Sequence, residues 1–162
     1  MQQSHAKLGG VLENVRVQET LEDAILITTG MLPRHQVELV RDYRTDVTLL
    51  ADKHKLLQIA VNLLQNAGQA CQESGRPDAR VIVRIQQPNN RGVQLEVIDN
   101  GVGIAAENLT KLFSQGFTTR THGHGFGLHS CVLAAEEMNG SLNASSDGVG
   151  KGARFLLELP TP

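Results

Sequence analysis

A two-layer α/β sandwich is the fold class that the sequence predicts, and three observations predict it. Segments of helical period alternate with strands taken two at a time, in the order helix, two strands, repeated three times. No run alternates strand and helix singly, as a parallel βαβ sheet would require. The 162 residues are 40% hydrophobic and 20% charged, so the chain is ordinary globular material. At this length it buries a core without disulfides or metal.

The elements follow in order. QQSHAK reads as the end of a helix stopped by Gly9–Gly10, and VLENVRVQ as extended chain. Glu19–Met31 is helical, with Leu21, Ala24, Ile25 and Thr28 on one face, and Pro33 ends it. Short strands follow around 37–41 and 47–50. Asp52 caps the strongest helix, which runs to about Ser74. Beyond the turn SGRPDAR, Val81, Val83 and Ile85 alternate with Ile82, Arg84 and Gln86, the pattern of a half-buried strand. Past QPNNRG, Val93, Leu95 and Val97 share a face of the next strand, and the two strands read as an antiparallel pair. A short helix near Glu107–Phe113 interrupts a glycine-rich stretch. A second long helix runs from about Gly125 to Met138 and stops at Asn139–Gly140. Strands near Ser141–Ser146 and Ala153–Leu159 close the chain.

Composition excludes several classes of function. A net charge of −2 argues against nucleic acid as partner. Aromatics are 3%, with no Trp and Tyr43 alone of its type, so stacking platforms are scarce. No apolar run reaches membrane-spanning length, and MQQSHAKLGG lacks the apolar stretch of a secretion signal. Cys71 and Cys131 lie far apart with no CxxC, which fits a reduced cytoplasmic chain. His122, His124 and His129 have no Cys or carboxylate partners at zinc spacing.

Three places break the structural pattern. On the helix at 52–74, Leu56, Ala60, Leu63, Ala67 and Ala70 make the apolar face. Lys55, Gln58, Asn62, Asn66, Gln69 and Glu73 fall opposite. Asn is a poor helix former, yet Asn62 and Asn66 stand at i and i+4. Amide oxygens are hard neutral ligands suited to a Mg²⁺ that shares a polyphosphate; a plain solvated face is the competing reading. Asp99 has the parity of Val93, Leu95 and Val97, which aims a carboxylate at the core, with Gly101 and Gly103 directly after it. Such an acid suits an exocyclic amine like that of adenine, and a turn-capping Asp is the alternative. Last, FSQGFTTRTHGHGFGLHS leads four glycines into a helix whose N-terminus offers N–H groups to an anion; the alternative is a flexible linker. Thr118, Thr119 and Arg120 would add donors. Walker patterns do not fit. GVGKGAR has no Ser or Thr after Lys151, Ser145 occupies the first glycine position, and GHGFG is GxGxG.

In this order the three breaks resemble the ATP-binding boxes of the GHKL superfamily, specifically the catalytic domain of sensor histidine kinases. NLLQNAGQA is similar to the N box, VIDNGVGI to the G1 box, LFSQGFTTR to the F box and HGHGFGL to the G2 box, across about residues 36–160. The resemblance implies a mixed, mostly antiparallel five-stranded sheet covered on one face by three helices, the Bergerat fold. It implies a dimerisation-helix remnant and linker at 1–10 and the catalytic domain at 11–162. Asn66 would bind the Mg²⁺ that bridges the ATP phosphates, with Gln69 where many relatives have Lys. Asp99 would accept the adenine amino group, with Gly101, Gly103 and Ile104 shaping the pocket. Residues 114–124 would form the ATP lid, with Thr118, Thr119 and Arg120 near phosphate. Gly123, His124, Gly125, Phe126, Gly127 and Leu128 would open the helix under the triphosphate, and Phe113 and Phe117 would be apolar anchors. Ala153 stands where many relatives carry a Thr or Ser near adenine.

Asn62 occupies the position of the water-activating Glu of gyrase-like ATPases. A carboxamide takes no proton, so its role would be polar positioning, and phosphoryl transfer is favoured over hydrolysis. The implied activity is ATP:protein-histidine phosphotransfer, silent in the isolated domain. The acceptor histidine would lie on a dimerisation domain outside this chain; His5 is not taken for it. Relay would go to the receiver domain of a response regulator, and the full-length kinase would be a homodimer. Two alternatives remain: a nucleotide-gated interaction module without phosphotransfer, and an ATPase of the gyrase, Hsp90 or MutL type.

Overall fold

The computed structural model describes residues 11–31, 37–89, 92–114 and 127–161. They form β1 (Leu12–Arg16), α1 (Val17–Met31), β2 (Glu38–Tyr43), β3 (Thr48–Asp52), α2 (Lys53–Ser74) and β4 (Arg80–Gln86). Then come β5 (Gly92–Asp99), α3 (Ala106–Leu109), α4 (Gly127–Glu137), β6 (Ser141–Ser145) and β7 (Ala153–Pro160). Among these residues no helix is long and apolar enough to cross a membrane.

Five strands make one mixed sheet in the order β2-β4-β5-β7-β6. The β2–β4 pair is parallel and the other three pairs are antiparallel. The predicted two-layer architecture is therefore the observed one. Strand parity builds the core: Val81, Val83, Ile85, Val93, Leu95, Val97, Phe155, Leu157 and Leu159 are all buried on one face. Leu21, Ala24, Ile25 and Thr28 of α1 are buried too, as their helical spacing predicts.

The opposite face of the sheet mixes polar residues (Arg84, Gln86, Gln94, Arg154) with Ile82, Ile98 and Leu156, and one acid is sunk in it. Glu96 is 1% exposed. It is held by the Arg154 guanidinium, by Gln86 Nε2 at 3.0 Å and by Arg84 at 3.7 Å. A buried carboxylate survives where such donors replace its water.

The strands that follow α1 part company in space. β2 joins the main sheet beside β4, whereas β3 pairs antiparallel with β1 in a separate two-stranded ribbon. VLENVRVQ, read only as extended, thus supplies a true strand and also the first residues of α1. The ribbon delivers the chain into α2, where Asp52 accepts from the N–H groups of His54 (3.0 Å) and Lys55 (3.2 Å). The predicted cap is in place. At the other end, Gly75 takes the left-handed conformation, φ 67°, and its N–H bonds to Gln72 O. The short helix is only Ala106–Leu109, with turns to Phe113 in place of the longer helix expected.

Candidate functional site

A cavity of about 220 Å³ opens between α2, the C-terminal end of β5 and the loop that follows it. α2 contributes Asn66, Ala70 and Glu73 to its wall. At 100° per residue these three fall within about 60° of one another, and so line one stripe of the helix. Asp99 lies at the floor and is 5% exposed. β5 ends there, with Asp99 opposite Val81 on one side and Ala153 on the other. The Asp99 carboxylate is oriented by the N–H of Gly101, which donates to Oδ1 at 2.8 Å.

The loop after Asp99 is clamped to α2 by its backbone. A Cβ on Gly101 would stand 2.4 Å from the Ala70 carbonyl carbon and 2.5 Å from its oxygen. Only glycine permits this approach. The next N–H, of Val102, donates to Ala70 O at 3.1 Å. Gly103 then turns with φ 75°, and a Cβ there would meet Gly148 O at 2.1 Å. Ser146 ties the two loops together: its Oγ accepts from Ile104 N at 3.0 Å and donates to Gly152 O at 2.6 Å. Asn100 faces away, accepting from Arg80 N at 2.7 Å and donating to Asp78 O at 2.9 Å. Acid, glycines and turn are thus one rigid unit seated on α2.

Apolar walls complete the cavity. Ile104, Leu112, Leu128, Val149, Ala153 and Phe155 line it. Phe155 is braced edge-to-face by Phe113, with ring centroids 6.4 Å apart. The Phe113 carbonyl meets His129 Nδ1 at 3.1 Å, joining this turn to the first turn of α4. That first turn, through Leu128, brings the positive end of the α4 dipole to the cavity. Burial raises the Cys71 thiol behind the site, and the Asp99 charge adds to the shift.

A family match covers residues 51–162, described as histidine kinase-, DNA gyrase B-, and HSP90-like ATPase. The chain belongs to this family of ATPases. The sensor histidine kinase ZraS of Escherichia coli O157:H7 is 39% identical over 110 residues, which cover 68% of this chain and 23% of ZraS. The chain therefore spans less than a quarter of that relative. The mycobacterial sensor histidine kinase MprB superposes with a TM-score of 0.81 at 22% identity, covering 93% of this chain and 99% of that structure. Full-length ShkA, solved in complex with AMPPNP, gives 0.79 at 23% identity, covering 93% of this chain and 31% of ShkA.

Against the ATPase-family boxes, the structure brings Asn66, Asp99, Gly103, Ile104 and Leu128 together around one cavity. Gly101 contributes by seating the loop on α2, and Phe113 by bracing Phe155. Asn62 turns elsewhere: its Nδ2 donates to Cys131 Sγ at 3.4 Å, and its Oδ1 lies 3.3 Å from where a Gly127 Cβ would stand. It packs α2 against α4. Gln69 is half-buried and stands outside the cavity wall. Both lie on the same side of the Asn66 stripe by helical rotation. Thr118, Thr119, Arg120, Gly123, His124, Gly125 and Phe126, with Phe117, fall outside the described residues. Sequence reasoning missed Glu73, Asn108, Leu112 and Phe155 as site residues. For Glu73 a signal existed, since it stands seven residues beyond Asn66 on the same helical stripe.

Proposed function

We propose that this chain is the nucleotide-binding catalytic domain of a sensor histidine kinase. It binds ATP with Mg²⁺ and presents the γ-phosphoryl to a histidine on the dimerisation domain of the same kinase. One observation carries the reading: a carboxylate 5% exposed forms the floor of a cavity that also carries the Asn66 amide on its α2 wall. The similarity to ZraS and MprB, both sensor histidine kinases, supports it, as does the AMPPNP bound to ShkA.

In this reading Asp99 accepts the adenine amino group, its orientation fixed by Gly101 N–H. The apolar walls around Phe155 and Ala153 exclude water from the base. The first turn of α4 faces the phosphates with its dipole. Asn66, a hard oxygen ligand lining the cavity, fits a Mg²⁺ that keeps its waters and shares phosphate oxygens. When bound, that ion supplies charge neutralisation. Asn62 bonds to Cys131 and carries no proton-accepting group, which favours phosphoryl transfer over hydrolysis. The catalytic domain takes 11–162; residues 1–10, which the sequence assigns to a dimerisation-helix remnant and linker, lie outside the described residues. The kinase is a homodimer whose catalytic domain works in the cytoplasm and relays to a response-regulator receiver domain.

Calorimetry with Mg-ATP tests the site directly. Asp99→Asn should weaken binding at least tenfold, and Asn66→Ala should remove its dependence on Mg²⁺, with both variants still folded. Unchanged affinity in Asp99→Asn refutes the site. A dimerisation domain supplied in trans that forms no phosphohistidine refutes the activity.

A further inference from the structure

We infer that Glu73 is a second acceptor for the exocyclic amine of the bound base, and that with Asp99 it makes the cavity select adenine over guanine nucleotides. The inference rests on the ATP-binding reading above and extends it to a residue no box contains. Asn66, Ala70 and Glu73 line the cavity in that order along α2. At 1.5 Å per residue, Asn66 and Glu73 are about 10 Å apart along the axis. That is comparable to the span from the metal-bridged phosphates of a nucleotide to the amino edge of its base. If Asn66 marks the phosphate end, Glu73 stands at the far edge of the base.

The floor of the cavity agrees with this polarity. The turn after Asp99 is seated on Ala70, through Gly101 and the Val102–Ala70 bond. Glu73 is therefore one helical turn from the contact that positions Asp99. Ala70, which lines the cavity between Asn66 and Glu73, carries only a methyl group, so no long side chain fills the space between the two polar residues. Val149 and Phe155 line the same cavity and supply apolar surface for the ring. A 6-amino group carries two N–H donors, one for each carboxylate. Guanine presents a carbonyl oxygen at that edge, where two carboxylates would face an acceptor. A site built to receive a donor rejects the analogue that lacks it. Glu73 is exposed at the rim, so its share is smaller than that of buried Asp99.

The test measures the affinity of the 162-residue chain, with Mg²⁺ present, for three probes. These are ATP, GTP and purine riboside triphosphate, which has no group at position 6. Glu73→Ala should weaken ATP about three- to tenfold, the worth of one net hydrogen bond. It should leave purine riboside triphosphate within about twofold. Glu73→Gln, which can also donate, should narrow the ATP-to-GTP ratio by a similar factor. Equal weakening of ATP and purine riboside triphosphate would mean a general structural or charge effect and overturns the inference. So does an unchanged ATP affinity in Glu73→Ala while Asp99→Asn binds weakly. If Asp99→Asn also binds ATP normally, the nucleotide reading itself has failed. The exposed position of Glu73 keeps the variants folded, which a melting curve verifies.

Discussion

Replacing Gly101 by Ala tests the joint between the acid and the helix. The added methyl carbon would stand 2.4 Å from the Ala70 carbonyl carbon, 2.5 Å from its oxygen and 2.7 Å from Cys71 N. All three atoms are backbone of α2, so no side chain can swing aside. Either the loop lifts or the helix bends. Overpacking of this kind costs about 1–3 kcal/mol, and a lifted loop also forfeits the Val102–Ala70 hydrogen bond, worth about 1 kcal/mol. The sum, about 2–4 kcal/mol, is a sizeable part of the 5–15 kcal/mol typical of a domain, so the variant folds but melts lower. At this size each kcal/mol moves Tm by about 2–4 °C, which gives a drop of roughly 5–15 °C. Lifting the loop also removes the Gly101 donor from Asp99 Oδ1, so the stabilisation by Mg-ATP should shrink with Tm. Gly75→Ala is the control. It has open space around the Cβ and only a positive φ of 67°, and should cost about 1 kcal/mol with no effect on the ligand shift. A Gly101→Ala protein with wild-type Tm and wild-type Mg-ATP shift would refute the clamped-loop geometry.

Other outcomes follow from the same packing. Asp52→Ala removes the acceptor for His54 and Lys55 N–H and should cost about 1–2 kcal/mol in a urea titration, without changing nucleotide affinity. Burial pushes the Cys131 thiol up to about 11, against the weaker opposing effect of its bond to Asn62. The folded chain keeps that proton while the unfolded chain loses it above its ordinary value of 9.0. Stability from this group is therefore intact below pH 9 and falls by about 2–3 kcal/mol as the pH rises toward 11. Cys131→Ala should flatten that slope in denaturant titrations at pH 8 to 11. Asn62→Glu puts a carboxylate against Cys131 at the α2–α4 interface, and should lower Tm without producing steady phosphate release.

Periodicity made much of this fold legible. Strand parity alone identifies the buried faces of β4 and β5, and it places Asp99 inward. The cap at Asp52 and the stop at Gly75 are local chemistry, and both stand where residue type puts them. Long-range pairing was not legible in the same way. Nothing local to Glu38–Tyr43 says that it runs parallel beside β4, or that Thr48–Asp52 turns back to β1. Hydrophobic alternation fixes which face a strand buries, and several partners satisfy that condition equally.

The two asparagines show where a helical pattern reaches its limit. Spacing of i and i+4 put Asn62 and Asn66 on one side of α2, yet 400° of rotation leaves them about 40° apart. Asn66 falls on the stripe shared with Ala70 and Glu73, and so on the cavity. Asn62 falls on the flank where α4 packs, and Cys131 takes its amide. A one-dimensional spacing cannot tell these flanks apart, because the neighbour that divides them arrives more than sixty residues later in the chain. Glu73, seven residues beyond Asn66, falls about 20° short of two full turns and so returns to within about 20° of it. By rotation Asn62 lies only about 20° from Glu73, so it is the contact with α4, through Cys131, and not angle alone that turns the Asn62 amide away from the cavity.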